Sequence, residues 1–439
     1  MKMRNRSVAA CLIIAATIVA APRVLTAASP DPVREWNQLA LKTVRVKITS
    51  DARAARLYAM VDVAMYDAVN GIVSQLGAHN GRGYALVPPT GAPAEGDLNV
   101  AAAVAAYTVL AGEFPDLKTG FPDSSPGYDA QLQDDLLAMG TVGRNSAADQ
   151  WGTHVGNRVR ELRTGDVTTL SQTAISPTCG KFANAWSGFT LAPFAIVDPS
   201  SYIGSGPLPV TSLNYAGAFA EVKLIGDGTI LNDGGTDNGD TFRFWSLGAG
   251  TDQPPGEWLK IALAVTADNP PPLPEMTRLF ALLSMAMADT VSPVTLTKRT
   301  YRHWRPEAAI KGADACNAYT VADPSWTPRG ASPGSPESFS GHSAFASAGA
   351  AALAGFFCSD NAAFSLLTDS GAQNGLAARN YSSFSAAAAE MGRSRPLGGF
   401  HFEFSNQQGL AAGRAIASEV LANKLLRRSG ATHFGQCPL

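Results

Sequence analysis

Residues 54–72, AARLYAMVDVAMYDAVNGI, place Leu57, Val61, Ala64, Met65, Ala68 and Ile72 on one apolar stripe at helical spacing. The same period returns at 98–113, 129–164, 274–304, 340–357, 382–393 and 405–427. The last of these opens on Ser405 with Gln408 three residues on, the spacing of a capping box. Alternation of period two is almost absent, and no unit repeats. Such a chain folds as packed helices rather than sheets. Its 46% hydrophobic residues suffice for a sizeable core, and alanine-rich runs suit close helix packing. Between about 165 and 255, Gly, Pro, Thr and Asp cluster, as in ILNDGGTDNGDT, which predicts long loops with short helices laid over the helical body. The run Asp233 to Asp240 lacks the ligand alternation and late glutamate of a calcium loop and reads as solvated. No linker divides the chain. The expectation is a mostly α, helical-bundle protein with long loops and a single domain over residues 28–439.

Residues 1–27 read as a signal peptide: Lys2, Arg4 and Arg6 precede the apolar run Val8 to Ala21, and Leu25-Thr26-Ala27 offers small residues for cleavage. The run is short for a bilayer span of ~20 residues, and no other stretch reads as long and apolar enough to cross. The expected product is secreted or periplasmic. Loss of Lys2, Arg4, Arg6 and Arg23 would take the net charge from −2 to −6, a poor balance for nucleic-acid binding. Cys179, Cys316, Cys358 and Cys437 then remain, without C-x-x-C spacing, so disulfides are expected rather than zinc. Cys316 and Cys358 bracket the Ser-Gly-His segment described next, and are the first choice of pair.

Three segments concentrate polar chemistry in otherwise apolar helices. In KRTYRHWRP (298–306), Lys298 and Arg305 lie two turns apart if the helix continues, and Pro306 predicts that it ends at Arg305. In SFSGHSAFASAGAAALAGFF, residues Ser340, Gly341 and His342 stand at a helix start, where free N–H groups and the dipole favour an anion. In SRPLGGFH (394–401), Arg395 offers a planar fork of donors, and Gly398 and Gly399 let the chain turn closely toward His401. No G-x-S-x-G elbow, H-E-x-x-H pattern or aspartate placed to orient either histidine is present, and Glu307, Glu337 and Glu403 are the only acids nearby. One lysine, two arginines, two histidines and a helix terminus call for an oxoanion. It is either a phosphoryl group in transfer to a histidine or a tetrahedral anion such as vanadate held as a cofactor.

Lys298-x6-Arg305-Pro306, Ser340-Gly341-His342 and Ser394-Arg395-x5-His401 resemble, in order, the three signature motifs of the type 2 phosphatidic acid phosphatase and vanadium haloperoxidase superfamily. REWNQLALKTVR, FAEVKLIGDG, FWSLGAGTDQPPGEWLKIA and SFSAAAAEMGRSRPLGGFHF look like the secreted bacterial vanadium-dependent haloperoxidases, a likeness running from about residue 34 to 425. The resemblance implies a fold of helical bundles around vanadate. His401 would bond vanadium, and Lys298, Arg305 and Arg395 would neutralise the equatorial oxygens with Ser340 and the Gly341 N–H. His342 would act as acid–base opposite His401. Hydrogen peroxide, a halide and a small organic acceptor would be the substrates. The family pattern has proline before Ser-Gly-His where Phe339 stands here, and Ser335 occupies a place where aromatic or histidine side chains face the halide. The same pocket would serve a secreted acid phosphatase with His401 as nucleophile, or, from another class, a non-catalytic anion-binding protein.

Overall fold

The structure, a computed structural model, describes residues 31–76, 83–141, 144–230, 238–312 and 316–426. The leader and Cys437 lie outside these residues, as does most of the acidic run near 233. Fifteen helices are described: α1 (Pro32–Val46), α2 (Asp51–Gln75), α3 (Leu98–Glu113), α4 (Tyr128–Ala138), α5 (Ala147–Leu162), α6 (Leu213–Ile225), α7 (Asn238–Phe244), α8 (Gln253–Val265), α9 (Leu273–Ala288), α10 (Val291–Tyr301), α11 (Pro306–Gly312), α12 (Gly341–Phe357), α13 (Asp369–Gln373), α14 (Phe384–Leu397) and α15 (Glu403–Asn423). The mostly α expectation holds. Two antiparallel hairpins are additions to it, β1 (Val167–Gln172) with β2 (Trp186–Leu191) and β3 (Asn361–Leu366) with β4 (Arg379–Ser383). Their strands are too short and too exposed to impose a period-two apolar pattern.

Helices α2, α3 and α5 pack together with α1 in one group, and α12, α14 and α15 pack together in another. Helix α9 touches both groups, and one apolar core runs from Val33 to Leu425. The stretch Leu273–Tyr301 is in fact long and apolar enough to cross a membrane, but 94% of its most apolar window is buried inside the protein. A helix between two bundles needs the same composition as one in lipid. Small residues bring α12 and α15 together: a Cβ on Gly413 would stand 2.1 Å from the Ala344 carbonyl oxygen, and one on Gly409 2.6 Å from that of Ser340. This close approach joins the Ser340 end of α12 to the helix that follows His401.

Several expected helices are divided or shifted. The segment 129–164 breaks after α4 near Gly140, which takes a left-handed φ of 67°. The segment 274–304 breaks at Asp289, whose buried carboxylate accepts from the backbone N–H groups of Phe194, Ala195 and Ile196. Helix α15 is capped at Phe402, so Ser405 lies in its first turn and forms no capping box with Gln408. Cys316 bonds to Cys179 instead of Cys358, across a sequence separation of 137 residues with the Cα atoms 5.7 Å apart. Proximity in the fold, invisible in spacing, decides the pairing, and Cys358 is itself disulfide-bonded. The Cys179–Cys316 bond closes a long loop, so a Cys179→Ser, Cys316→Ser double variant should lose about 2–5 kcal/mol of stability, read as a lower denaturant midpoint.

Buried between the bundles, Asp62 of α2 accepts from Asn37 Nδ2 at 2.9 Å and from Ser284 Oγ, tying α1, α2 and α9. Burial pushes its carboxyl up from 3.8 to about 7, against those two hydrogen bonds. Between these values the folded protein holds a proton that the unfolded chain has released, so stability falls as pH rises through that window. Asp62→Asn removes this dependence. Relative to the variant, the native protein should lose on the order of 1–3 kcal/mol between about pH 4 and about pH 7, followed by thermal melts across that range.

Candidate active site

Lys298 lies in the last turn of α10, 8% exposed. The helix stops at Arg302, whose left-handed φ of 50° forms its cap, so Lys298 and Arg305 do not share one continuous helix as the spacing suggested. Arg305 stands in the link before Pro306, the first residue of α11. Ser340 caps α12, its hydroxyl accepting from the Ser343 N–H, with Gly341 and His342 in the first turn. The helix start read from the sequence is thus present, and Phe339 sits fully buried beside it. Arg395 belongs to the last turn of α14, and Gly398 and Gly399 carry the chain from there to His401.

The fold brings these groups together. Arg305 donates from Nε to the Ser335 carbonyl at 2.8 Å, from Nη2 to Ser335 Oγ at 3.1 Å, and from Nη1 to the Phe400 carbonyl at 2.9 Å. The same Nη1 lies 2.9 Å from His401 Nε2. Ser335, unlike the aromatic or histidine residues of the family pattern, therefore holds Arg305. Lys298 donates to the carbonyls of Pro336 and Glu337. Arg395 stacks over the Phe400 ring, 4.9 Å from its centroid.

The charges follow from this convergence. Burial first, then the charges of Arg305, Lys298 and Arg395, hold His401 well below the usual histidine range. Burial and then Arg395, Arg305 and Lys298 do the same to His342. Burial lowers Arg305 to about 10, and burial together with Arg305 lowers Arg395 to about 9. Lys298 is likewise pushed well down by burial and Arg305, against the opposing fields of Glu337 and Asp51. Glu337 is the acid whose field reaches both Lys298 and Arg305, and burial raises its own carboxyl to about 7, so the three buried basic groups beside two neutral imidazoles are under-compensated, which is costly unless an anion joins them. His342 Nε2 and Arg395 Nε are also buried without a hydrogen-bond partner among the described residues. A compact oxoanion fits this donor set, offering acceptors to the arginines, the lysine and the helix start together.

Glu337 is the site residue that sequence reasoning passed over. It is fully buried, with Oε1 3.0 Å from His401 Nδ1 and accepting the Phe402 N–H at 3.1 Å. Its only signal in the sequence was an acid three residues before Ser340. His303 stays outside the cluster: its Nδ1 lies 3.1 Å from the Gly180 carbonyl, and burial lowers it to about 3. Arg305 also forms part of the wall of a surface cavity of about 860 Å³, with Phe182, Trp304, Lys181 and Pro333. The acidic group of buried Asp252 and Glu257 with half-buried Asp369 lies elsewhere and is met by Arg45 and Lys260.

Residues 278–428, which include all three motifs, match the family model for the VCPO second helical-bundle domain. No curated protein matches the chain. Among solved structures, the chain resembles "the first bacterial vanadium dependant iodoperoxidase" at a TM-score of 0.72 and 23% identity, over 89% of this chain and 96% of that one. The holo form of a bacterial vanadium-dependent chloroperoxidase matches at 0.60 and 13% identity over 90% and 95% of the two chains. An apo form matches at 0.59 and 15% over 83% and 91%. The chain thus has a C-terminal bundle similar to the VCPO second helical-bundle domain and the fold seen in bacterial vanadium-dependent haloperoxidases.

Proposed function

We propose that this protein is a vanadate-dependent haloperoxidase, in which a halide ion gives two electrons to hydrogen peroxide and, with a proton, yields hypohalous acid and water. The hypohalous species would then halogenate a small organic acceptor. The observation that carries this reading is the buried, under-compensated set Lys298, Arg305 and Arg395 around His401, whose Nε2 faces Arg305 Nη1 and whose ring burial and these charges keep neutral. Arg305 can only donate, so the Nε2 it faces must carry the lone pair. That nitrogen is the atom suited to bond a metal centre.

In this reading, Arg305, Arg395 and Lys298 bind and orient the oxoanion, with Ser340 and the Gly341 N–H at the positive end of α12. His401 anchors it through Nε2. His342, neutral and with a free Nε2, takes up or returns a proton on the side facing the three cations. When bound, vanadate supplies Lewis-acid activation of peroxide toward the halide. The surface cavity that Arg305 helps to wall would be the approach of small reactants to this side of the cluster. The reading takes residues 28–439 as one domain, supported by the continuous core from Val33 to Leu425. It also takes the protein as exported after cleavage of residues 1–27, supported by the leader pattern and by the Cys179–Cys316 bond, which suits an oxidising compartment.

The test uses protein stripped of metal in phosphate-free buffer, given peroxide with iodide, bromide or chloride, with and without orthovanadate. Halogenation of a dye only when vanadate is present is the expected result. Cleavage of p-nitrophenyl phosphate by the vanadate-free protein, with no halide oxidation under any condition, would overturn it in favour of a phosphatase.

A further inference from the structure

The geometry points to Glu337 as the positioning residue of this site, fixing which nitrogen of His401 is free and where it aims. The inference rests on the haloperoxidase reading for the identity of the oxoanion, but its tautomer claim stands on this chain alone.

A neutral imidazole has one N–H. Arg305 Nη1, a donor without a lone pair, lies 2.9 Å from Nε2, so the hydrogen of His401 is on Nδ1. On that side Glu337 Oε1 accepts at 3.0 Å. Ser405 Oγ lies farther from the same nitrogen, at 3.3 Å, and a hydroxyl can donate as well as accept, so it does not enforce a tautomer. Glu337 does. The backbone of Glu337 is held at both its N–H and its carbonyl, and the carboxylate takes two donors through Oε1. Its second donor is the Phe402 N–H, next in sequence to the histidine it orients, and the Glu337 N–H donates to the His303 carbonyl at 2.9 Å. The Glu337 carbonyl accepts from Lys298 at 3.3 Å. One residue therefore fixes the ring from which Nε2 projects and helps to set the ammonium beside it. A hydrogen-bonded carboxylate behind a ligating histidine also raises the basicity of the ligating nitrogen, and loss of such a partner typically costs ~10–100-fold in affinity.

The experiment compares native protein with Glu337→Gln and Glu337→Ala. It reads the His401 ring by 15N NMR of histidine-labelled, vanadate-free protein, with His401→Ala to assign the signals, and measures orthovanadate binding by calorimetry. Native protein should show a protonated Nδ1 and a bare Nε2. Glu337→Gln keeps an acceptor oxygen and should keep that tautomer while binding vanadate about tenfold more weakly. Glu337→Ala leaves only Arg305 and the longer Ser405 contact to order the ring, so the second tautomer should appear beside the first and binding should be weaker still. A merely structural role would not move the ring signals of a folded variant. An alanine variant with the native tautomer and affinity would overturn the inference. If alanine is not tolerated at this buried position, a glutamine variant with native affinity would overturn it equally. Native protein that shows the tautomer yet binds no vanadate would sink the haloperoxidase reading instead.

Discussion

Replacing His401 by alanine should lower vanadate-dependent halide oxidation by more than about a hundredfold, since even the partners that merely orient a metal ligand are worth ~10–100-fold. The substitution removes the ring nitrogen that faces Arg305 at 2.9 Å. It also leaves Glu337 buried beside a void, without its Nδ1–H partner. Thermal melting of the variant separates a lost bond from a lost fold. A folded His401→Ala protein that still oxidises halide at the native rate would show that the histidine holds nothing.

The second large effect is expected at Arg395. Its guanidinium is almost fully buried, its Nε has no partner among the described residues, and Nη1 reaches only the Trp245 carbonyl at 3.5 Å. Little in the protein uses its donors, so an oxoanion would receive nearly all of them. Hydrogen bonds to charged groups are worth about 1.5–3 kcal/mol. Arg395→Ala should therefore weaken vanadate binding by about 10–100-fold, measured by calorimetry. Stability should hardly fall, or should rise, because a poorly compensated buried charge is gone. Arg305→Ala differs. It would also strip donors from Ser335 and Phe400 and so loosen the loop before α12. Arg395 is thus the cleaner probe of anion binding.

The contrast between these two arginines also explains how much of the site was legible in the sequence. Lys298, Arg305, Ser340, Gly341, His342, Arg395 and His401 could be picked out because each sits at a helix end, and helix ends announce themselves through Pro306, Gly341 and the Gly398–Gly399 pair. Periodicity placed the helical body for the same reason, since burial of one face leaves its mark every three to four residues. What escaped was whatever depends on two distant segments meeting. Glu337 looked like a loop acid because nothing local says that its carboxylate ends against His401, 64 residues on. Cys316 looked closer to Cys358 than to Cys179 along the chain, and is not so in space. Ser405 matched a capping pattern, yet the helix begins earlier and its hydroxyl turns to His401 Nδ1. The pattern was sound and its competitor was tertiary.

The most direct measurement of the central claim is equilibrium dialysis of metal-stripped protein against orthovanadate in phosphate-free buffer, repeated with added phosphate and with His401→Ala. One tightly bound vanadate per chain, displaced by phosphate and lost in the variant, is the expected result. Native protein that retains no vanadate, or a His401→Ala variant that retains it as tightly as the native chain, would contradict it.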